Sequence, residues 1–367
     1  MNNNTTSKNQ ALQKFKTNFW GVSCLVFIAL VAIAGISAYT WIPDASQNAN
    51  QMALNIQLQS PGFQSQVIEV PNPNPSKKWS SYVSGQENPN EIHPISSYRF
   101  ANDSLYYIPY NEEGKTDLLE KVIPTNNFPT HQKKEIEKNY IYIKTYYLGT
   151  DRYGRDLLSR LILGIRISLS IGFIAVFISL VIGITLGAIG GYFGGKIDAL
   201  IMWLINVTWS IPTLLLVIAI TLALGKGFYQ VFIAVGLTMW VEVARIVRGQ
   251  VISVKEMQYV TAARALGFKD GRIIFKHILP NILAPVIVIS AANFAAAILV
   301  ESGLSFLGIG AQPPTPSWGT MIKDHYAYIS LGKPFLAIIP GLAIMLSVMS
   351  FMLIGNALRD ALDVKSE

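Results

Sequence analysis

The chain has 367 residues, of which 51% are hydrophobic and only 14% charged, with a formal net charge of +7. Soluble domains carry about 25% charged residues, so an ordinary water-soluble fold is excluded and lipid is the simplest counterpart for so much uncharged surface. The positive balance does not require nucleic acid, because Lys and Arg gather on the cytoplasmic side of membrane spans, and the single cysteine, Cys24, cannot form an intramolecular disulfide.

Residues 1–18 are polar, with Lys8, Lys14 and Lys16, and read as a cytoplasmic tail. Residues 19–43 lie in an uncharged run with Trp20 and Trp41 near its ends, as suits the two interfaces of a bilayer. The run is longer than a signal-peptide core and lacks an A-x-A site, so it reads as an uncleaved first transmembrane helix. Residues 44–147 are rich in Asn, Pro, Ser, Gln and Tyr and form an extracytoplasmic insertion. Pro71, Pro73 and Pro75 alternate with Asn72 and Asn74 as an extended linker. The alternation of Tyr140, Tyr142, Lys144 and Tyr146 with Ile141, Ile143 and Thr145 predicts a short strand. In 148–166, Leu157, Leu158, Leu161 and Ile162 form a stripe with Arg155, Arg160 and Arg166 elsewhere. That pattern suits an amphipathic segment at the outer interface, or a plain lead-in to the second span.

Within 167–358, uncharged runs at 167–195, 199–225, 227–241, 278–300 and 334–358 predict five more spans, six in all. Pro280 and Pro285 are placed to bend the start of the fourth of these. The loop 246–277 holds Arg248, Lys255, Arg264, Lys269, Arg272 and Lys276 against Glu256 and Asp270, which assigns it to the cytoplasm. Counting spans then puts both the N-terminus and the 359–367 tail in the cytoplasm, and the insertion and the 302–333 loop outside. The expected architecture is an all-α polytopic membrane protein of six transmembrane helices.

The most informative stretch is Gln258-Tyr-Val-Thr-Ala-Ala-Arg-Ala-Leu-Gly267, running on through Phe268 to Leu279-Pro280. It predicts a cytoplasmic helix with Ala263 and Gly267 at i, i+4 on one face. Ala262 and Ala265 widen that small-residue surface, on which another body can approach closely. Gly267 is a plausible helix stop. Phe268 is an aromatic that could enter a partner's cleft, and Arg264 and Arg272 favour an acidic partner.

This stretch resembles the cytoplasmic loop of ABC importer permeases, whose pattern is E-A-A-x3-G-x9-I-x-L-P. Ala262, Ala263, Gly267, Leu279 and Pro280 match, while Thr261 stands where Glu is usual and His277 where Ile is usual. Leu148-Gly-Thr-Asp-Arg-Tyr-Gly-Arg-Asp-Leu-Leu-Ser-Arg160 and the segment from Glu301 to Gly319 are similar to the second permease subunit of oligopeptide, dipeptide and nickel importers. The resemblance implies a type I ABC importer permease fold in the cytoplasmic (inner) membrane of a bacterium, forming half of a translocation path for peptides or a related small solute. It implies that Gln258, Tyr259, Ala262, Ala263, Arg264, Leu266, Gly267, Phe268, Leu279 and Pro280 dock an ATPase as a coupling helix. It also implies the partners: a second homologous permease, two ABC ATPase subunits that carry ATP and Mg, and an extracytoplasmic solute-binding protein. This chain is expected to hold no cofactor, because no phosphate-binding G-x4-G-K-[ST] motif occurs in it. No catalytic grouping or metal-ligand spacing is expected either; His93, His131, His277 and His325 are scattered.

Glu242, Asn206, Asn293 and Glu301 are candidates for a polar substrate path, with Ser210-Ile211-Pro212 beside them. The alternative for Glu242 is local pairing with Arg245 at the inner boundary, and for Glu301 a place at the outer boundary. In 302–319, three prolines exclude a regular helix, and a re-entrant loop and a passive connector are both open. Two other classes of function remain: an ion-coupled transporter, which predicts internal repeats and mid-span carboxylates, and a membrane-anchored protein acting through residues 44–147.

Overall fold

A computed structural model describes residues 3–74, 79–111, 119–225 and 227–362. Pro75 of the expected linker, Lys365 and the rest of the last five residues of the tail lie outside them. The helices are α1 (Asn3–Thr17), α2 (Phe19–Ile36), α3 (Lys133–Tyr140), α4 (Leu157–Phe193), α5 (Gly195–Trp209), α6 (Thr213–Leu224), α7 (Phe228–Lys255), α8 (Gln258–Ala265), α9 (Leu283–Phe306), α10 (Trp318–His325) and α11 (Phe335–Leu362), besides shorter turns. Five of them, α2, α4, α7, α9 and α11, are long and apolar enough to cross a membrane, and α5 with α6 makes a sixth if the bent pair is one span.

The chain divides into two compact units. One comprises Met1–Ala32, Ser168–Gln312 and Leu342–Glu367. Its spans differ from the expected runs: the first, expected over 19–43, ends as a helix at Ile36, and two later runs depart further. The run at 199–225 is not straight: α5 and α6 meet at 91°. Pro212 has no N–H to give, and its ring pushes Ile211 out of the helical region, so the ladder stops there. The span expected at 227–241 continues as α7 to Lys255. Its charged end is held locally: the Arg248 guanidinium grips Asp198 of α5 with bonds of 2.5 and 2.6 Å.

A seam of glycines joins α4 to α7. A Cβ on Gly183, Gly187 or Gly191 would lie 2.9 Å from Trp240 O, 2.6 Å from Ala244 O and 2.8 Å from Arg248 O respectively. The spacing of four residues on both helices lets one backbone run directly along the other, which only residues without a side chain allow. Val243, Val247 and Val251 fill the flanks of this seam and carry the core on toward Val260, Ile273 and Ile278. Ahead of α9 the chain is irregular at Pro280, with a wide π-turn, Ile274–Ile278, and a 3-10 turn, Leu279–Asn281, while Pro285 lies within the regular helix.

The other unit comprises Ile33–Ile167 and Pro313–Gly341. Here the insertion, expected to hold one short strand, carries a five-stranded antiparallel sheet: β1 (Phe63–Val70), β2 (Glu91–Ala101), β3 (Ser104–Pro109), β4 (Lys121–Pro124) and β5 (Ile141–Tyr146). The strand order is β4-β3-β2-β1-β5. The all-α description therefore holds for the spans and not for the insertion. The predicted strand is β5, paired with β1 from Phe63↔Tyr146 to Ile68↔Ile141. One face of the sheet buries Ile68, Ile95, Leu105 and Ile123, closed by Ile136 of α3. Asn102 and Asp103, both at positive φ, make the two-residue turn between β2 and β3.

Residues 148–166 do not form a separate interfacial helix. A tight turn around Asp151 leads straight into α4, which is unbroken for 37 residues. Asp151, fully buried, accepts the amides of Tyr153 (2.8 Å) and Arg155 (3.0 Å) and the Arg155 Nε–H (2.7 Å). Leu157 and Ile162 are buried together with Arg155 and Arg160, so the stripe is not divided between lipid and water. Trp318 is buried too; its indole N–H donates to Leu161 O at 2.9 Å. Its helix α10 opens with a capping box between Ser317 and Thr320.

Candidate functional site

The loop between α7 and α9 is built around α8. Its C-terminus is a Schellman motif: the Phe268 amide donates to Ala263 O (3.2 Å) and the Gly267 amide to Arg264 O (3.0 Å). Gly267 takes φ +77°, the left-handed conformation this motif needs.

The helix turns Val260 and Ala263 inward, where they join Ile273, Ile274 and Ile278 in one core. Ala263 is therefore not on a docking face with Gly267, as the i, i+4 spacing predicted. The helix ends at Ala265, so helical phase no longer relates the two positions. Gln258, Tyr259, Ala262, Arg264 and Gly267 are exposed, and nothing lies within 4 Å of a Cβ built on Gly267.

Phe268 is not the protruding aromatic expected. It is half-buried, packed on the loop core, with the Arg272 guanidinium 4.2 Å from its ring centre and the His277 ring stacked at 6.0 Å. The apolar group that does protrude is Leu266, 74% exposed, and Phe275 stands out nearly as far at 72%. Leu279 is half-buried against the same core and Pro280 is exposed. Asp270 ties the loop to the end of α4 by accepting the Tyr192 hydroxyl at 2.6 Å, and the Arg264 guanidinium lies 5.7 Å above the Tyr192 ring. The resulting surface is a small-residue ridge with Leu266 at its tip and basic groups around it.

The four path candidates do not share one environment. Asn206 on α5 and Glu242 on α7 are exposed. Glu242 does not pair with Arg245: among the described residues no ion pair joins them, and the Arg245 guanidinium lies 3.8 Å from the Trp209 ring centre. Asn293 and Glu301, both on α9, are each about 1% exposed and are packed inside this chain rather than on an open wall. Glu301 accepts the Ser305 hydroxyl at 2.6 Å, while the Asn293 side-chain amide nitrogen has no hydrogen-bond partner among the described residues. A groove of about 510 Å³, lined by Ile246, Gln250, Pro285, Val288 and Arg359 among others, opens beside α7 and α9 and includes none of the four.

Comparison with known proteins bears on this geometry. The sequence profile of the family described as binding-protein-dependent transport system inner membrane component matches residues 183–366, a stretch that includes the whole of α7, α8 and α9. The dipeptide transport system permease protein DppC of Alkalihalophilus pseudofirmus is 46% identical over 220 residues, 60% of this chain and 72% of that one. The oligopeptide transport system permease protein OppC of Bacillus subtilis is 40% identical over 222 residues, again 60% and 72%. The glutathione transport system permease protein GsiD of Pectobacterium atrosepticum is 40% identical over 220 residues, 60% and 73%. Among solved structures, the chain is similar to one of the inward-facing MetNI methionine ABC transporter at 17% identity and a TM-score of 0.47, covering 56% of this chain and 97% of that one.

Proposed function

Because this chain belongs to the family of binding-protein-dependent transport system inner membrane components, and so is a multi-pass permease subunit of an ABC importer, we propose that it forms half of a peptide path whose ATPase docks on the α8 ridge. Relatives named for dipeptides, oligopeptides and glutathione support a peptide-like solute. The observation that carries the docking surface is the exposed Leu266 beside the open Gly267, held out by the Schellman turn on a loop whose core packs Val260, Ala263, Ile273 and Ile278 inward. The second half of the path is a homologous permease, each permease receives one ATPase subunit, and an extracytoplasmic binding protein delivers the solute. ATP and Mg belong to the ATPase chains, and this chain is a transport subunit without a nucleotide site of its own. Both termini lie in the cytoplasm.

Mechanically, closure of the ATPases pushes α8, and the push reaches α4 through Tyr192–Asp270 and α9 through the core of Val260, Ile273 and Ile278. Nucleotide and loaded binding protein each favour one of two arrangements of the permease pair, which is what alternating access requires. Reconstitution in proteoliposomes tests this: uptake of a radiolabelled tripeptide should need ATP, the ATPase chains and the binding protein. Uptake driven by a proton or sodium gradient without ATPase chains would place the protein among ion-coupled transporters instead.

A further inference from the structure

A cavity of about 280 Å³ lies within the unit that contains the insertion, and its lining joins three separate parts of the chain: Asp44 and Met52 after the first span, Glu91 on β2, and Lys144, Tyr146 and Asp156 before α4. Asp156 is 2% exposed. Its Oδ1 caps α4, accepting the Ser159 amide at 2.7 Å and the Ser159 hydroxyl at 2.6 Å. Its Oδ2 is buried and has no hydrogen-bond partner among the described residues, an arrangement that a folded protein keeps only at a cost. Burial accordingly pushes the Asp156 carboxyl above the usual carboxylate range. Asp44, also 2% exposed, differs: both its oxygens are used, by the amides of Ser46 (3.0 Å) and Gln51 (3.1 Å).

The cavity holds three carboxylates and one ammonium. Lys144 makes no ion pair with Asp156 among the described residues; its Nζ lies 5.4 Å from the Tyr146 ring centre, and its charge offsets only part of the effect of burial on Asp156. His93 is engaged with Glu91 at 3.3 Å, and burial lowers its pKa. Among the described residues there is no group of three His, Cys, Asp or Glu that could hold a metal ion. What fits is a single positive charge with hydrogen atoms to donate, on an organic stem that can lie along Met52 and Tyr146.

We infer that this cavity binds a primary ammonium group on a short aliphatic stem, paired with the buried, unpartnered Oδ2 of Asp156. The same chemistry is offered by the N-terminus of a free peptide and by a lysine side chain of a partner protein. The site does not depend on the transport reading, because binding is measured on the full chain alone.

The test uses the purified full-length chain in detergent, titrated by calorimetry with trialanine, N-acetyl-trialanine, and lysine acetylated at its α-nitrogen and amidated at its carboxyl. Trialanine, the lysine derivative or both should bind, and N-acetyl-trialanine should not. The Asp156→Asn variant keeps the helix cap but replaces the unpartnered acceptor with a donor, and should weaken binding about tenfold or more. The Lys144→Met variant removes the resident like charge and should tighten binding. Binding of trialanine alone identifies a peptide terminus, and binding of the lysine derivative alone identifies a protein side chain. The inference is overturned if neither amine binds at millimolar concentration, if N-acetyl-trialanine binds as well as trialanine, or if Asp156→Asn leaves binding unchanged in a chain that melts normally.

Discussion

Leu266 offers a direct test of ATPase docking because its side chain contributes little to the fold. It is 74% exposed, so truncation should leave the melting temperature of the permease almost unchanged. Burying a leucine side chain fully is worth about 1.5–3 kcal/mol. Roughly three-quarters of that surface is still open to a partner, so Leu266→Ala should cost docking about 1–2 kcal/mol, or about five- to thirtyfold in Kd. Leu266→Asp should cost more, since a carboxylate would be desolvated without a counter-charge. The assay is titration of the isolated ATPase subunit onto nanodisc-embedded permease by interferometry, with thermal unfolding as a control. Unchanged Kd for both variants, with both chains folded, would refute the ridge as the docking surface. Ala263→Asp is not a substitute: it puts charge into the core with Val260 and Ile273 and should lower the melting temperature whatever the site docks.

Three more predictions follow from local geometry. Gly154→Ala should destabilise the unit around the insertion by more than about 2 kcal/mol, because Gly154 has φ +70° and a Cβ there would lie 1.8 Å from Ala53 O; a denaturant melt of the full chain reads this. His325 is buried with Nδ1 2.6 Å from Met321 O and its Nε2 accepting the Arg152 amide at 3.4 Å, a neutral tautomer whose pKa burial lowers below 6.5. The unfolded chain therefore takes up the proton first. The stability it contributes is complete above about pH 6.5 and is lost as pH falls through the lowered value, so the melting temperature should drop from pH 7 toward pH 5, and less so in His325→Gln. Arg248 and Asp198, with side chains 26% and 20% exposed, should show a coupling of about 1 kcal/mol in a double-mutant cycle of thermal stability.

The spans were legible because an uncharged run of about 20 residues has few other uses. What the runs did not show was where a span breaks. Pro212 was visible, but a proline in an apolar stretch is compatible with a gentle kink as well as with the right-angled elbow seen here. The sheet was hidden for a different reason. Its strands are half-buried, and the outer faces of β2 and β3 are polar or aromatic enough to resemble loop composition. The local clue was Asn102-Asp103 between two alternating stretches, a pair that tolerates positive φ. In α8 the helix and its stop at Gly267 were legible and the phase was not. The i, i+4 rule holds only inside a helix, and Gly267 ends this one, so Ala263 went into the core while the neighbour of the glycine, Leu266, was left outside. The glycine seam gave no sequence signal strong enough to notice, since Gly183, Gly187 and Gly191 sit in a run where small residues are common. The four path candidates were chosen as polar residues in apolar surroundings, and that criterion cannot separate an exposed residue such as Glu242 from an interior one such as Asn293.

That seam has a mechanical meaning. At Gly183, Gly187 and Gly191, on three successive turns, an α7 carbonyl oxygen and a valine side chain (Val243, Val247 or Val251) both come within 3 Å of where a Cβ would sit. A shift of one helix along the other would drive Cα atoms into carbonyl oxygens, so α4 and α7 behave as one stiff beam. On the proposed docking of an ATPase at α8, a push there would meet a helix pair that resists sliding, while the breaks in helical regularity lie outside that pair, at the elbow at Ser210–Pro212 and the wide turn ahead of Pro280.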